Sequence, residues 1–308
     1  MSKKKIVITI GDPAGCGPYI TLKAIESLNV RNVKFSVVGD EKILKSISGY
    51  SKVRKKIELI DMETPFIEKI KKGYINKLSG EASLNYLKKA LFLIEKEKIK
   101  GLVTAPVSKE AIKLLYPKFC GHTEFLAEFF KARNFAMMMV SSKLKVVLLT
   151  RHLPLREVSK NISKDRLVAV IDLIYGFLKE KFGIKNPRIA LASLNPHAGI
   201  DTFLDKEERI MKEAISYCGK KIEGPYPGDT LFIDTSLKKF DCIICAYHDQ
   251  AMIPFKLLSF QDGVNLTIGL PIIRTSPSHG VAFEAIRKKE RIFYSSMQEA
   301  IKLAVKLS

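Results

Sequence analysis

A chain of 308 residues that is 46% hydrophobic and 27% charged has ample material for a buried core, which excludes a disordered or fibrous protein. Its formal net charge of +20 is mostly lysine, spread over segments such as 52–56, 69–72, 96–100 and 179–185. There is no arginine-rich recognition helix, zinc-finger spacing or stacking platform, so nucleic acid is not an expected partner, and the positive field instead favours an anionic substrate. No segment reaches the roughly 20 apolar residues of a bilayer span. The apolar run after Lys3-Lys4-Lys5 is too short for a signal peptide, so a cytoplasmic protein without a membrane partner is expected.

In chain order the pattern alternates strand and helix, which predicts an α/β fold with a largely parallel sheet. Residues 5–10 read as a buried strand, the glycine turn Gly11 to Gly17 follows, and a helix runs to about Leu28. Strands are expected at 33–38 and 56–60. A helix over 80–98 places Leu84, Leu87, Leu91 and Ile94 on one face. The strand 101–105 ends at Pro106, and Ser108 is a helix N-cap. A helix at 123–131 precedes strands at 136–140 and 145–150. The long amphipathic helix 163–181, strand 188–193, helix 205–217, strand 240–246, extended segment 264–268 and closing helix 295–307 complete the pass.

The five cysteines are odd in number and scattered, so no disulfide framework is expected. Cys242 and Cys245 form a CxxC, but within the apolar run Cys242-Ile243-Ile244-Cys245-Ala246, where cysteine acts as a small hydrophobe. The glycine turn, Gly11-x3-Gly15-x-Gly17, matches neither a dinucleotide fingerprint nor a phosphate loop, and reads equally as a structural turn or part of a ligand cleft.

Five histidines carry the chemical signal: His122, His152, His197, His248 and His279. Each lies at an element edge among polar, glycine and proline residues. Three of them, His152, His197 and His248, directly follow strands, where open α/β sheets bind ligands. Three converging imidazoles match a catalytic metal site with a position open to substrate. Their spacings of 45 and 51 residues exclude a structural zinc finger. Asp249, beside His248, is a ligand, an orienting group or a general base. Lys256, Asn265 and Arg274 fall in polar-capped, turn-rich segments and suit a phosphate or carboxylate.

Seven motifs then occur in order: Thr9 to Gly15, Thr104 to Lys109, Gly121 to Glu124, Asn195 to Gly199, Gly228 to Phe232, Tyr247 to Gln250 and Thr275 to Gly280. Together they resemble the 4-hydroxythreonine-4-phosphate dehydrogenase family of pyridoxine biosynthesis over nearly the whole chain. The resemblance implies an isocitrate/isopropylmalate-dehydrogenase-like fold of two α/β/α lobes around a central cleft. The first lobe is expected at 1–104 plus 257–308 and the second, with dimer contacts, at 105–256. It implies a homodimer with a shared active site and a divalent metal on His152, His197 and His248. Substrate contacts are implied at His122, Thr123, Lys256, Asn265 and Arg274, a cofactor-side loop at His279, and Asp249 is taken as the base. The implied reaction is NAD- or NADP-dependent oxidation of 4-phosphohydroxy-L-threonine, with a metal such as zinc, magnesium or cobalt. Its product, 2-amino-3-oxo-4-phosphooxybutanoate, loses carbon dioxide to give 3-amino-2-oxopropyl phosphate.

The chain departs from the family pattern at Tyr19, at Ile200 to Phe203, at Ser278 and across Glu284 to Lys288, the last bearing on cofactor preference. Three other readings remain beside the main one. One is a dehydrogenase of threonate or erythronate 4-phosphate. Another is a phosphate acyltransferase of the same fold, which needs no three-histidine set. The third, resting on charge alone, is a nucleic-acid binder.

Overall fold

The computed structural model describes residues 3–199 and 206–308, with only the backbone of 234–236. The departures at Ile200 to Phe203 lie outside these residues. Eleven strands occur among them: β1 (Lys4–Thr9), β2 (Val33–Gly39), β3 (Ile57–Asp61), β4 (Gly101–Thr104), β5 (Ala136–Val140), β6 (Lys145–Leu148), β7 (Ile189–Ala192), β8 (Ile222–Tyr226), β9 (Cys242–Cys245), β10 (Val264–Ile268) and β11 (Ile273–Pro277). The chain divides into two compact units, 1–130 with 270–308, and 131–269.

The first unit holds a parallel sheet in the order β3-β2-β1-β4-β11. Parallel neighbours need crossover connections, which the helices Gly17–Ser27 and Lys77–Glu97 supply. Strands covered on both faces read as continuous apolar runs, and Ile6, Val7 and Ile8 of β1 are wholly buried. The Lys77–Glu97 helix starts where the Asn76 side chain accepts the Ser79 N–H at 3.2 Å. It ends at Lys98, which turns left-handed at φ 53°. Its buried stripe includes the predicted Leu84, Leu87, Leu91 and Ile94. Each such leucine contributes about 2 kcal/mol by leaving water.

The second unit holds β10-β5-β6-β9-β7-β8. Here β5 runs antiparallel to β10 and to β6, and β6, β9, β7 and β8 are parallel. Its core gathers Met137, Met139, Val146, Leu148, Ile243, Cys245 and Phe255. The predicted long helix appears as Lys164–Phe182, capped by the Ser163 hydroxyl and closed by Gly183 at φ 72°.

The unit boundaries fall later in the chain than 104/105 and 256/257, and packing explains both. Ile112 and Phe119 join Leu84 in one buried cluster with Phe125, which keeps the segment after β4 in the first unit. Antiparallel pairing with β5 keeps β10 in the second. The CxxC lies in β9, where burial pushes the Cys242 thiol up to about 12 and raises Cys245 well above its ordinary value, so neither is a ready nucleophile. No helix among the described residues is long and apolar enough to cross a membrane.

Candidate active site

In the second unit, the parallel strands β6, β7 and β9 end on the same edge of the sheet. The chain leaves them through Thr150-Arg151-His152, Asn195-Pro196-His197 and Tyr247-His248. The rings of His152 and His248 stand 5.6 Å apart between centroids. Two imidazoles bound to one ion through bonds of about 2.1 Å have their centroids roughly 5 Å apart, so this pair fits two ligands of a single cation. His248 is the first residue of the helix His248–Ser259, and its Nδ1 lies 2.6 Å from Asp249 Oδ1. A proton on Nδ1 is then donated to the carboxylate, which leaves the Nε2 lone pair as the ring's acceptor.

His197 is presented differently. It lies in a left-handed run, with φ 53° at His197, 54° at Ala198 and 69° at Gly199. The two residues with side chains cost about 1–2 kcal/mol each in this region. The surroundings hold the turn against that cost. The buried carboxylate of Glu208 accepts the backbone N–H groups of Leu194 at 3.0 Å and Asn195 at 2.8 Å, and the Asn195 side-chain amide at 3.0 Å. His197 lines a pocket of about 570 Å³ together with Asp229, Phe232, Tyr247, Asp249 and Ile253. Among the described residues no group of three or more histidine, cysteine or acidic side chains is close enough to hold a metal, and the two imidazoles brought together are those of His152 and His248.

Lys256 and Asn265 also belong to the second unit. Lys256 lies inside the His248–Ser259 helix and Asn265 inside β10, while Arg274 lies inside β11 of the first unit. The sequence reading of turn-rich segments is therefore corrected for Lys256 and Arg274, while Asn265 falls in the expected extended segment 264–268. Pro254 suggests a helix break, but the helix passes through it. Burial lowers the ammonium pKa of Lys256. The Asn265 amide donates to Met137 Sδ at 3.4 Å, and its Oδ1 is buried with no hydrogen-bond partner among the described residues. An orphaned acceptor of this kind suits a ligand donor.

In the first unit, Arg274 is 2% exposed. Its Nε and Nη2 donate to Thr104 Oγ1 at 3.2 and 2.7 Å. Burial lowers its pKa to about 10, and Glu124 partly offsets this. His122 and Thr123 open the helix His122–Phe129. Desolvation, then the charges of Arg274 and Lys109, hold the His122 imidazole well below its usual range, so it is neutral at pH 7.

The glycine turn after β1 meets the loop that carries His279. The Cys16 thiol donates to the Gly280 carbonyl at 3.5 Å, and Cys16 N–H donates to Val281 O at 2.9 Å. Close approach and a left-handed backbone together explain the glycine at 11. A Cβ there would stand 2.3 Å from Pro106 O, and φ is +72°. Of the departures from the family pattern, Arg287 closes the short helix Phe283–Arg287. It donates to Gly73 O at 2.6 Å and covers the Tyr74 ring. Sequence reasoning assigned no role to Asp229, Gln250 or Glu208. The first two stand within quoted motifs, and the signal for Glu208 is a charge on the inward face of an amphipathic helix.

A two-unit α/β architecture with imidazoles at parallel strand ends defines a class of ligand-binding enzyme folds. Comparison with known proteins narrows it. The family model described as pyridoxal phosphate biosynthetic protein PdxA matches residues 4–304, and the chain belongs to that family. It is 39% identical to 4-hydroxythreonine-4-phosphate dehydrogenase of Desulforapulum autotrophicum, covering 97% of this chain and 94% of the relative. It is 36% identical to D-threonate 4-phosphate dehydrogenase of Salmonella typhimurium over 100% of both. The solved structure of 4-hydroxythreonine-4-phosphate dehydrogenase from Klebsiella pneumoniae superposes with a TM-score of 0.82 at 32% identity, covering 99% of each chain.

Proposed function

We propose that the chain oxidises 4-phosphohydroxy-L-threonine to 2-amino-3-oxo-4-phosphooxybutanoate, with NAD or NADP as acceptor and with the help of a divalent metal. The product loses carbon dioxide to give 3-amino-2-oxopropyl phosphate, a step of pyridoxine biosynthesis. The observation that carries this reading is the His152–His248 pair at the ends of β6 and β9, with Asp249 held on His248. It stands in a family whose relatives include named dehydrogenases of phosphorylated four-carbon acids.

When bound, a cation such as zinc, magnesium or cobalt supplies Lewis acidity at the substrate's secondary hydroxyl, and the nicotinamide supplies the hydride acceptor. His152, His197 and His248 are the residues that would hold the cation. Asp249, exposed and steadied by His248, takes the hydroxyl proton. The anionic ends of the substrate go to Lys256 and Asn265, and to His122, Thr123 and Arg274. The partly desolvated Lys256 and buried Arg274 give stronger contacts to phosphate than water-exposed cations would. His279, on the loop against the glycine turn, faces the cofactor. Chelator-sensitive reduction of NAD or NADP with this substrate, lost in His197→Ala, is the expected result; turnover indifferent to both chelator and His197→Ala rejects the metal role.

The second reading is oxidation of D-threonate 4-phosphate, favoured by the named relative of comparable identity. Parallel kcat/KM measurements on the two substrates decide between them. The active form is a homodimer with shared sites. Ile253, Leu257 and Phe260 support this, being 62%, 82% and 64% exposed at spacings of four and three along the helix His248–Ser259 and its C-terminal cap, with the first two lining the His197 pocket. Light scattering of the wild type and Leu257→Asp tests it: a dimer for the former and a monomer for the latter is expected, and a wild-type monomer refutes it.

A further inference from the structure

The edge of the second unit's sheet carries a hydrogen-bond chain that no step of the reaction uses. It begins at the end of β6, where Thr150 Oγ1 donates to Ala246 O at 2.6 Å, just beyond β9. The next link is Gln250, whose Oε1 accepts Ala246 N–H at 2.7 Å and whose Nε2 donates to Ser193 O at 2.7 Å, just beyond β7. Ser193 Oγ then donates to Asn195 O at 2.8 Å. Both oxygens of Glu208 close the chain on the segment that leads to His197: Oε1 on the N–H groups of Leu194 and Asn195, Oε2 on the Asn195 amide. Each segment that this chain ties together leads within a few residues to one of three histidines, His152, His197 or His248.

The chemistry of the links is not that of ordinary packing. Glu208 is 1% exposed, yet its carboxylate meets three N–H donors and no cation at those contacts. Burying a carboxylate is costly unless it is fully hydrogen-bonded, and an apolar residue at this helix position would fill the space without that cost. What an apolar residue cannot do is fix the direction of Leu194 and Asn195 immediately before the left-handed turn at His197. Gln250 likewise spans two strand ends with one donor and one acceptor, a geometry that a carboxylate or an aliphatic chain cannot reproduce.

We propose that Glu208 and Gln250 are positioning residues, which lock the segments after β7 and β9 together, with Thr150 tying on the segment after β6, so that the loops bearing His152, His197 and His248 are each held in a fixed direction for a divalent cation. The inference rests on the metal reading above. Groups that orient ligands in this way change metal affinity by about 10–100-fold when they are removed.

The test uses the full chain, stripped of metal and titrated with cobalt(II) by calorimetry, with thermal melting of the metal-free protein alongside. Glu208→Gln keeps the shape and one acceptor oxygen but cannot accept the Asn195 amide with its own amide nitrogen. Gln250→Met keeps the length and loses both links. The expected result is a roughly 10–100-fold weaker cobalt(II) affinity in each variant, with melting of the metal-free protein close to wild type. A purely structural role predicts the opposite pattern, lower melting with unchanged affinity, and overturns the proposal. His197→Ala separates the two levels. If it weakens cobalt(II) while Glu208→Gln and Gln250→Met do not, positioning is wrong and the metal reading stands. If His197→Ala leaves affinity unchanged, the metal reading falls and the proposal with it. Should Glu208→Gln not fold, Asn195→Ala removes the side-chain amide that Glu208 Oε2 accepts, together with its 3.2 Å contact to Glu207, and puts the same question.

Discussion

Replacing Asp12 by asparagine should stabilise the protein at neutral pH and leave it nearly unchanged at pH 4. Asp12 is wholly buried in the glycine turn after β1. Its Oδ1 accepts the Ala14 N–H at 2.8 Å, and Oδ2 is buried without a hydrogen-bond partner among the described residues. Burial raises its pKa from 3.8 to about 6, and the Ala14 N–H, then the Ser79 side chain and the Ser108 backbone, only partly offset this. A raised acid is protonated in the folded state over a pH range where the unfolded chain has already ionised. Stability is therefore fully present below pH 3.8 and is lost as pH rises through 6. At about 1.4 kcal/mol per pH unit the loss is about 3 kcal/mol. Asp12→Asn keeps the size and the acceptor for Ala14 but cannot ionise. Urea unfolding at a series of pH values gives the difference between variant and wild type. That difference should be small at pH 4, grow between pH 4 and 6.5, and level off at about 3 kcal/mol in favour of the variant. A pH-independent difference, or one that grows in favour of the wild type, would show that the turn satisfies the carboxylate and that the desolvation argument is wrong.

Arg274→Lys should raise KM for the phosphorylated substrate about 10–100-fold, because one ammonium cannot replace the planar fork that Thr104 holds; steady-state kinetics reads it, and an unchanged KM removes Arg274 from the substrate site. The His122 ring should stay neutral from pH 8 down to well below 6.5, so its carbon resonances in a histidine-labelled sample should not titrate over pH 6–8; a midpoint near 6.5 contradicts the burial and charge argument. Gly11→Ala should destabilise the chain by more than about 2 kcal/mol, since its Cβ meets backbone at 2.3 Å and φ is +72°; denaturant midpoints test this. In the native protein a thiol reagent should modify exposed Cys120 and spare Cys242 and Cys245; mass spectrometry of the labelled peptides reads the outcome.

The strands and long helices were legible because their periodicity is local: the stripe from Leu84 to Ile94 and the run from Ile6 to Ile8 each report a face or a fully covered strand. The placing of His152 and His248 beyond strand ends was legible for the same reason, since each follows its strand directly. The helix at 248–259 was not, because Pro254 interrupts the pattern and the helix's apolar side is not all buried: Ile253, Leu257 and Phe260 are exposed, which blurs the usual contrast of inward and outward faces. The unit boundaries were missed because they are set by contacts far apart in the chain, Leu84 with Ile112 and β10 with β5.

Glu208 shows what kind of signal could recover the remainder. In the helix Lys206–Cys218 its buried companions are Met211 and Ala214, three residues apart on the same face, so the acid occupies a position that the periodicity assigns to the core. A carboxylate there must find donors, either among the N–H groups of its own first turn or in another segment. Here the donors come from the chain just past the end of β7, where Leu194 and Asn195 lie beyond the last residue of the strand and donate to Glu208. A core-face acid near a helix start thus marks a strand-end loop that must keep one conformation. In this chain that loop leads to a histidine held with positive φ, the residue whose direction the proposed metal site depends on most.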